Sequence, residues 1–336
     1  MGVAGAAFAL AATLAFVPVA SAQTQTSPYV APAAREVEPA RPVAVIIPQE
    51  RIATTVELGR ITPGTGGLIG SMIDNRPERL AQNAAAKAEV HVTPLVEVLA
   101  GFDAPALAVS ASEAALAKTA WFASGPAELH VGASIASTQV EGEDAGGDST
   151  VSMTYNIGAF REEANDTSGA KRWSQVRTEL EDAFAAEHPD AGELASITWR
   201  YRMSADFTNV QVIADLALRK NGSSRQYYAQ QLISIVKLRR PTFVEEDNVA
   251  IWAANDGALA REALIMAFAR AGEAIPALLA LDSAGYATAT DRSRESATSA
   301  GFHGPVLLRD EKGPVFYAKD GDQRLDAFVT VQTIRN

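Results

Sequence analysis

Apolar and polar positions along this chain follow two periods, and the switches between them predict both strands and helices. Val43 to Ile47 is a continuous apolar run, β-branched except at Ala44 and ended by Pro48, which predicts a short buried strand with Ile52 to Leu58 as its partner. The turn Gly59 to Gly67 leads into a helical stripe of Leu68, Met72, Ile73, Leu80, Ala84, Ala88, Leu95 and Leu99, spaced mostly by three or four residues. Pro77 and Pro94 break or restart that helix, Gly101 ends it, and Leu107 to Val109 follows as a short apolar run.

Period two then takes over. Leu129, Val131, Ala133 and Ile135 alternate with smaller or polar residues, as do Val151, Met153, Tyr155 and Ile157 across the loop Glu141 to Thr150. This predicts an antiparallel hairpin with one wet face. A helix over Trp173 to Glu187 presents Trp173, Val176, Leu180 and Phe184 inward. Ile197–Met203, Val210–Leu218 and Tyr227–Leu238 read as a meander of three strands, their connectors carrying turn residues. A last helix runs from about Asn248 to Arg270, with an Ala-rich continuation to Leu281. After the polar linker Asp291 to Gly301, three short strands are expected at Val306–Leu308, Val315–Tyr317 and Phe328–Thr330.

The pattern predicts an α+β fold: a mainly antiparallel sheet covered by two or three helices, with a small C-terminal β element. The body spans 43–285 and the C-terminal element 300–336, the latter either an appendage or an edge of the main sheet. The start of the chain reads differently. No charged side chain precedes Arg35, Val3 to Val19 is mostly apolar, and Ala20 and Ala22 supply a small-x-small cleavage pattern. Residues 1–22 are therefore expected to be a signal peptide cleaved after Ala22, followed by a flexible Pro- and Ala-rich leader over 23–42. Gln23 stands where a lipoprotein needs cysteine, and no later stretch reaches about 18 consecutive apolar residues. The expected location is the periplasm, in soluble form, with no integral span after cleavage.

Composition changes the picture by exclusion. The chain has 336 residues, 47% hydrophobic and 21% charged, with 29 Lys and Arg against 40 Asp and Glu for a net charge of −11. Such an acidic surface repels phosphate backbones, so nucleic acid is not an expected partner. Without cysteine there is no disulfide, thiolate metal site or thiol nucleophile. His91, His130, His188 and His303 are far apart in sequence and form no His-Glu-x-x-His pair, so neither a metal nor a cofactor is expected.

Local constellations carry little chemistry. Pro63 to Gly70 follows a strand and opens a helix, but it lacks the Lys-Ser or Lys-Thr of a phosphate loop and the third glycine of a dinucleotide fingerprint. Gly66 with Gly70, and Gly67 with Ser71, instead place small residues four apart, a pattern for close helix packing or self-association. Glu141, Glu143, Asp144 and Asp148 could hold Ca²⁺ or simply form a solvated hairpin tip; their spacing is not that of an EF-hand. Ser168-Gly169-Ala170-Lys171 lacks the companion motifs of penicillin-recognising enzymes. Trp199-Arg200-Tyr201-Arg202 puts two guanidiniums on one strand face, and with Arg239 these form a candidate anion-binding face.

Gly66 to Asn75 with Arg79, then Pro94-Leu95 and Gly101-Phe102-Asp103, together with Trp252 to Leu259, resemble segments of uncharacterised exported envelope proteins of proteobacteria. The resemblance implies an envelope setting and no particular chemistry. The resulting expectation is a non-enzymatic exported protein that binds an envelope partner or itself. The alternative is a periplasmic hydrolase built from carboxylates such as Asp103, Asp206, Asp215 or Asp256.

Overall fold

A computed structural model describes residues 26–35, 41–57, 88, 90–134, 138–141, 155–156, 173–294, 296–299, 302–318 and 327–336. Its centre is the expected meander: β6 (Glu193–Met203), β7 (Asn209–Lys220) and β8 (Gln226–Leu238) pair antiparallel along their length. Alternation in these strands sends Ile197, Trp199, Tyr201 and Met203, then Val210, Val212 and Leu216, to one face, where they join the main core.

The flanks differ from the sequence expectation. β1 (Val43–Gln49) and β2 (Ala53–Glu57) do not pair with each other. Both lie parallel along the same edge of β6, β1 from Val43↔Ala195 and β2 from Ala53↔Arg202. Pro48 does not end β1; it sits where the register with β3 (Ala127–Ser134) shifts. β3 runs parallel to β1, β4 (Thr138–Glu141) runs parallel to β2, and β5 (Tyr155–Asn156) closes a hairpin on β4. The expected pairing of 129–135 with 151–157 is not found among the described residues: β3 pairs with β1, and Tyr155–Asn156 pair instead with β4. At the other side β12 (Ala327–Ile334) lies parallel to β8. β11 (Gly313–Ala318), β10 (Phe302–Asp310) and β9 (Ser296–Ser299) follow antiparallel, so the C-terminal strands extend the main sheet.

The fold is α+β, but the sheet is mixed rather than mainly antiparallel. The cause is connectivity: helical segments separate β1 from β3, and helices together with β9 to β11 separate β8 from β12, and such long connections can return a strand parallel to an earlier one. A period-two pattern shows which face is buried and is blind to strand direction.

More than three helical segments accompany the sheet. α1 is the single turn Pro32–Arg35 and α2 covers 90–98. α3 (Ala104–Leu116) opens on Asp103, whose carboxylate accepts the Ala106 N–H at 3.0 Å. α4 is Trp173–Glu187, as expected; α5 is Glu245–Leu279 and α6 is Ser283–Ala289. α3 packs with α5 on the main core face. Its buried stripe is Ala104, Ala108, Ala111, Ser112 and Ala115, small enough for close approach. Trp199 Nε1 donates to Ser112 Oγ at 2.9 Å, fixing α3 to the sheet. α5 is bent at Ala254 to Gly257, where Asn255, Asp256 and Gly257 have φ of 53°, 56° and 70°. Left-handed geometry at two non-glycine residues costs energy that Arg261 helps offset, by donating to the carbonyls of Val98 and Asp256.

On the opposite face α4 lays Phe184 over Ala44, Ile46 and Leu194. A second apolar cluster there holds Ile213, Ile233, Ile235, Phe316 and Val329. Arg270, 2% exposed, leaves α5 to reach Asp310 at 2.7 Å, the Gly313 carbonyl at 2.9 Å and Thr330 Oγ1 at 3.2 Å. Among the described residues no helix is long and apolar enough to cross a membrane.

Candidate functional site

The face of the sheet turned away from the main core is not uniformly apolar. Where β6, β7 and β8 lie side by side, the register aligns Thr198 with Asp215 and Asp215 with Gln231, one polar side chain per strand. Ser196 and Ala217 pair one step away, as do Ala217 and Ala229, so small side chains make a floor beside this row. Arg200 follows Thr198 by two residues and therefore shares its face. Arg177, from the first turns of α4, stands over the same area. These residues line a pocket of about 280 Å³.

The polar row is rigid. Arg200 Nη2 donates to Asp215 Oδ2 at 2.8 Å, and Gln231 Nε2 donates to Asp215 Oδ1 at 2.7 Å. Both carboxylate oxygens of Asp215 therefore have internal donors, and its side chain is only 19% exposed. Charge-assisted bonds of this kind are short and directional, so they fix the guanidinium plane as well as the carboxylate. Behind the pocket, Arg177 lies 3.8 Å from Glu181, while Arg219 donates to Asp182 at 3.2 Å and to the Glu181 carbonyl. Burial holds the Glu181 carboxyl above its ordinary range, outweighing the attraction of Arg177 and Arg219. Glu181 does not line the pocket.

The structure separates the three arginines named from the sequence. Arg200 lines the pocket. Arg202 shares its strand face but donates to Gln211 at 2.8 Å, outside the lining. Arg239 is exposed just past the end of β8, its N–H on the Ile334 carbonyl. The four carboxylates do not assemble either. Asp103 caps α3, Asp206 accepts from Ser204 and Thr208 within its own turn, and Asp256 lies in the α5 bend. Only Asp215 reaches the pocket. Gly66, Gly67, Gly70 and Ser71, the 142–150 loop, Ser168–Lys171 and residues 1–22 lie outside the described residues.

Arg177, Thr198 and Gln231 are site residues the sequence reading did not single out. Thr198 had a visible signal, being in phase with Arg200 and Arg202 on a strand whose other face is aromatic. Arg177 and Gln231 had none, because only the sheet register and the docking of α4 bring them in. Comparison with known proteins gives no matching family model, no similar curated protein and no similar solved structure.

Proposed function

We propose that the protein is an exported, soluble envelope protein that binds a small oxyanion, such as the carboxylate of a short organic acid, without transforming it. The observation that carries this reading is the pocket's donor set. Arg177, Arg200, Ser196, Thr198, Gln226 and Gln231 converge on it, and among the described residues Asp215 is the one acid in its lining. Two guanidiniums, two hydroxyls and two side-chain amides against one carboxylate make the described lining rich in donors, in a chain of net charge −11. An anion is the ligand such a donor set selects. The volume is just below the roughly 300–1,000 Å³ of drug-sized ligand sites, which points to a small ligand. A hydrolase of the carboxylate type would need a second acid facing Asp215, and among the described residues the lining offers donors instead. Cleavage after Ala22 and release into the periplasm belong to the same proposal.

The test is calorimetry and thermal melting of the full chain with succinate, sulfate and phosphate, against chloride at matched ionic strength. One of the three should raise the midpoint saturably, as binding to the native state requires. Arg177→Gln and Thr198→Val, neither of which removes the Arg200–Asp215 pair, should each weaken binding by about tenfold, matching a lost charge-assisted bond. A midpoint that follows ionic strength alone would sink the binding reading. Fractionation of cells making the whole chain tests export: a mature N-terminus at Gln23 in the periplasmic fraction is expected.

A further inference from the structure

We propose that Glu128, His130 and Glu187, with His188 beside them, form a site for a divalent transition-metal ion of the Zn²⁺ class, independent of the anion pocket. Glu128 and His130 are two apart on β3, so their side chains leave the same face of the strand. Their partners in β1 are Ala44 and Ile46, the residues that α4 covers, so that face looks toward α4. Glu187 ends α4 and His188 follows it. Gly132, on the same face of β3, lets α4 sit close: a methyl group there would overlap the Val176 side chain. The last turn of the helix is thereby brought down on the strand.

One donor atom each from Glu128, His130 and Glu187 lies within 4.8 Å of the others. Small side-chain rotations bring such atoms to the roughly 2.0–2.2 Å bonds of a tetrahedral ion. Further observations support a cation over a chance grouping. His130 Nε2 is closed off from solvent and, among the described residues, hydrogen bonds to nothing. His188 Nδ1 donates to the Phe184 carbonyl at 3.0 Å, which turns Nε2 to 3.0 Å from a Glu128 oxygen. Held at both ring nitrogens, His188 orients the Glu128 carboxylate from beside the three donors, as an outer partner of a metal ligand does. Phe184 holds both rings, with centroids 5.2 Å from His130 and 4.5 Å from His188. The carbonyl end of α4 adds a negative dipole at the same spot.

The donor set chooses the metal. Imidazole with carboxylate suits Zn²⁺ and its d-block neighbours, whereas Ca²⁺ and Mg²⁺ take oxygen ligands. The ion would clip the end of α4 to β3 in a chain that has no cysteine to make such a link.

The full chain, without a histidine tag and stripped by chelator, is titrated with Zn²⁺ against a chromophoric indicator, and with Co²⁺ by visible absorption. The expected result is one ion per chain, not displaced by millimolar-range Ca²⁺ or Mg²⁺, with a raised melting midpoint. Glu187→Gln, at an exposed position, and His130→Gln should each weaken Zn²⁺ by at least about tenfold. If His130→Gln fails to fold, Glu187→Gln decides alone. No Zn²⁺ uptake by the wild type overturns the proposal. So does affinity unchanged in Glu187→Gln, which would place the ion elsewhere, for example on His91 with Glu245 and Glu246.

Discussion

Replacing Gly272 with alanine sets two known effects against each other at the crossing of α3 and α5. Inside a helix alanine is favoured over glycine by up to about 1 kcal/mol. Here, however, a Cβ on residue 272 would stand 2.8 Å from the Ala111 carbonyl oxygen and 3.0 Å from both its Cα and Cβ. The nearest atoms are backbone, so no rotamer change relieves the overlap and the two helices must separate. A gap of about 0.5–1 Å forfeits a quarter to a half of the dispersion energy at each contact along the crossing. That crossing is lined by Ala104, Ala108 and Ala115 on one helix and Ala267, Ala271 and Ala274 on the other. Overpacking of this kind costs about 1–3 kcal/mol, more than the propensity gain. The expected net loss for Gly272→Ala is therefore up to about 2 kcal/mol, and Gly272→Val, with a weaker helix former and two more methyls, should lose more. At about 2–4 °C per kcal/mol, urea and thermal unfolding resolve the difference. The double variant Ala111→Gly, Gly272→Ala should recover only part of the loss, because the carbonyl oxygen remains. A midpoint that rises in Gly272→Ala would show that the helices part freely and that the close-crossing argument is wrong.

Two further predictions concern pH. The hydrogen bond from Arg270 holds Asp310 below the usual carboxylate range, so it stabilises the fold above its unfolded value of about 3.9, an effect lost as pH falls through its folded value. Asp310→Asn should lower the neutral-pH midpoint by no more than about 1 kcal/mol, since the carboxylate is 40% exposed, and the gap should close below about pH 4; a gap independent of pH would mean that packing is responsible. Glu181 has the opposite sign: its value is raised by burial, so its contribution is full below about pH 4.3 and is lost as pH rises through the folded value. Glu181→Gln should raise the neutral midpoint and match the wild type in acid, and a fall at neutral pH would show that Arg177 and Arg219 outweigh burial.

The meander and α4 were legible because their apolar residues keep one period for ten residues or more. Strand direction was not, since Val43 to Ile47 reads alike whichever way its neighbours run. The polarity of β3 was misread for a related reason. Leu129 and Val131 alternate like core residues, yet they are 42% and 48% exposed, while Glu128, His130 and Gly132 face α4. Alternation marks two faces without saying which one a helix will cover. α3 escaped notice because its buried stripe is alanine, which contrasts weakly with its surroundings, and the α5 bend because Asn-Asp-Gly also ends helices. In the site, strand parity alone put Arg200 and Arg202 on one face. The separation of Arg239, and the meeting of His130 with Glu187, depend on tertiary docking that no local pattern encodes.

Much of that docking runs through α4. Its first half supplies Arg177 to the anion pocket, its middle receives Arg219 through Asp182 and the Glu181 carbonyl, and its end carries Glu187 and His188. The Arg219 clamp has counterparts elsewhere. Arg41 joins Glu193 at 2.6 Å and the Trp121 carbonyl at 2.7 Å, and Arg270 joins α5 to the β10–β11 turn. All three arginine side chains are at most 10% exposed, but those of Glu193, Asp182 and Asp310 are 32%, 64% and 40% exposed. Removing such an arginine would leave its carboxylate in water, not stranded in a core, so the loss falls below the roughly 3–5 kcal/mol of a broken buried pair. What would be stranded are the Trp121, Glu181 and Gly313 carbonyls that each guanidinium also reaches. The clamps therefore act chiefly by satisfying backbone groups between segments distant in sequence, which is where a cysteine-free chain of this size most needs its connections fixed.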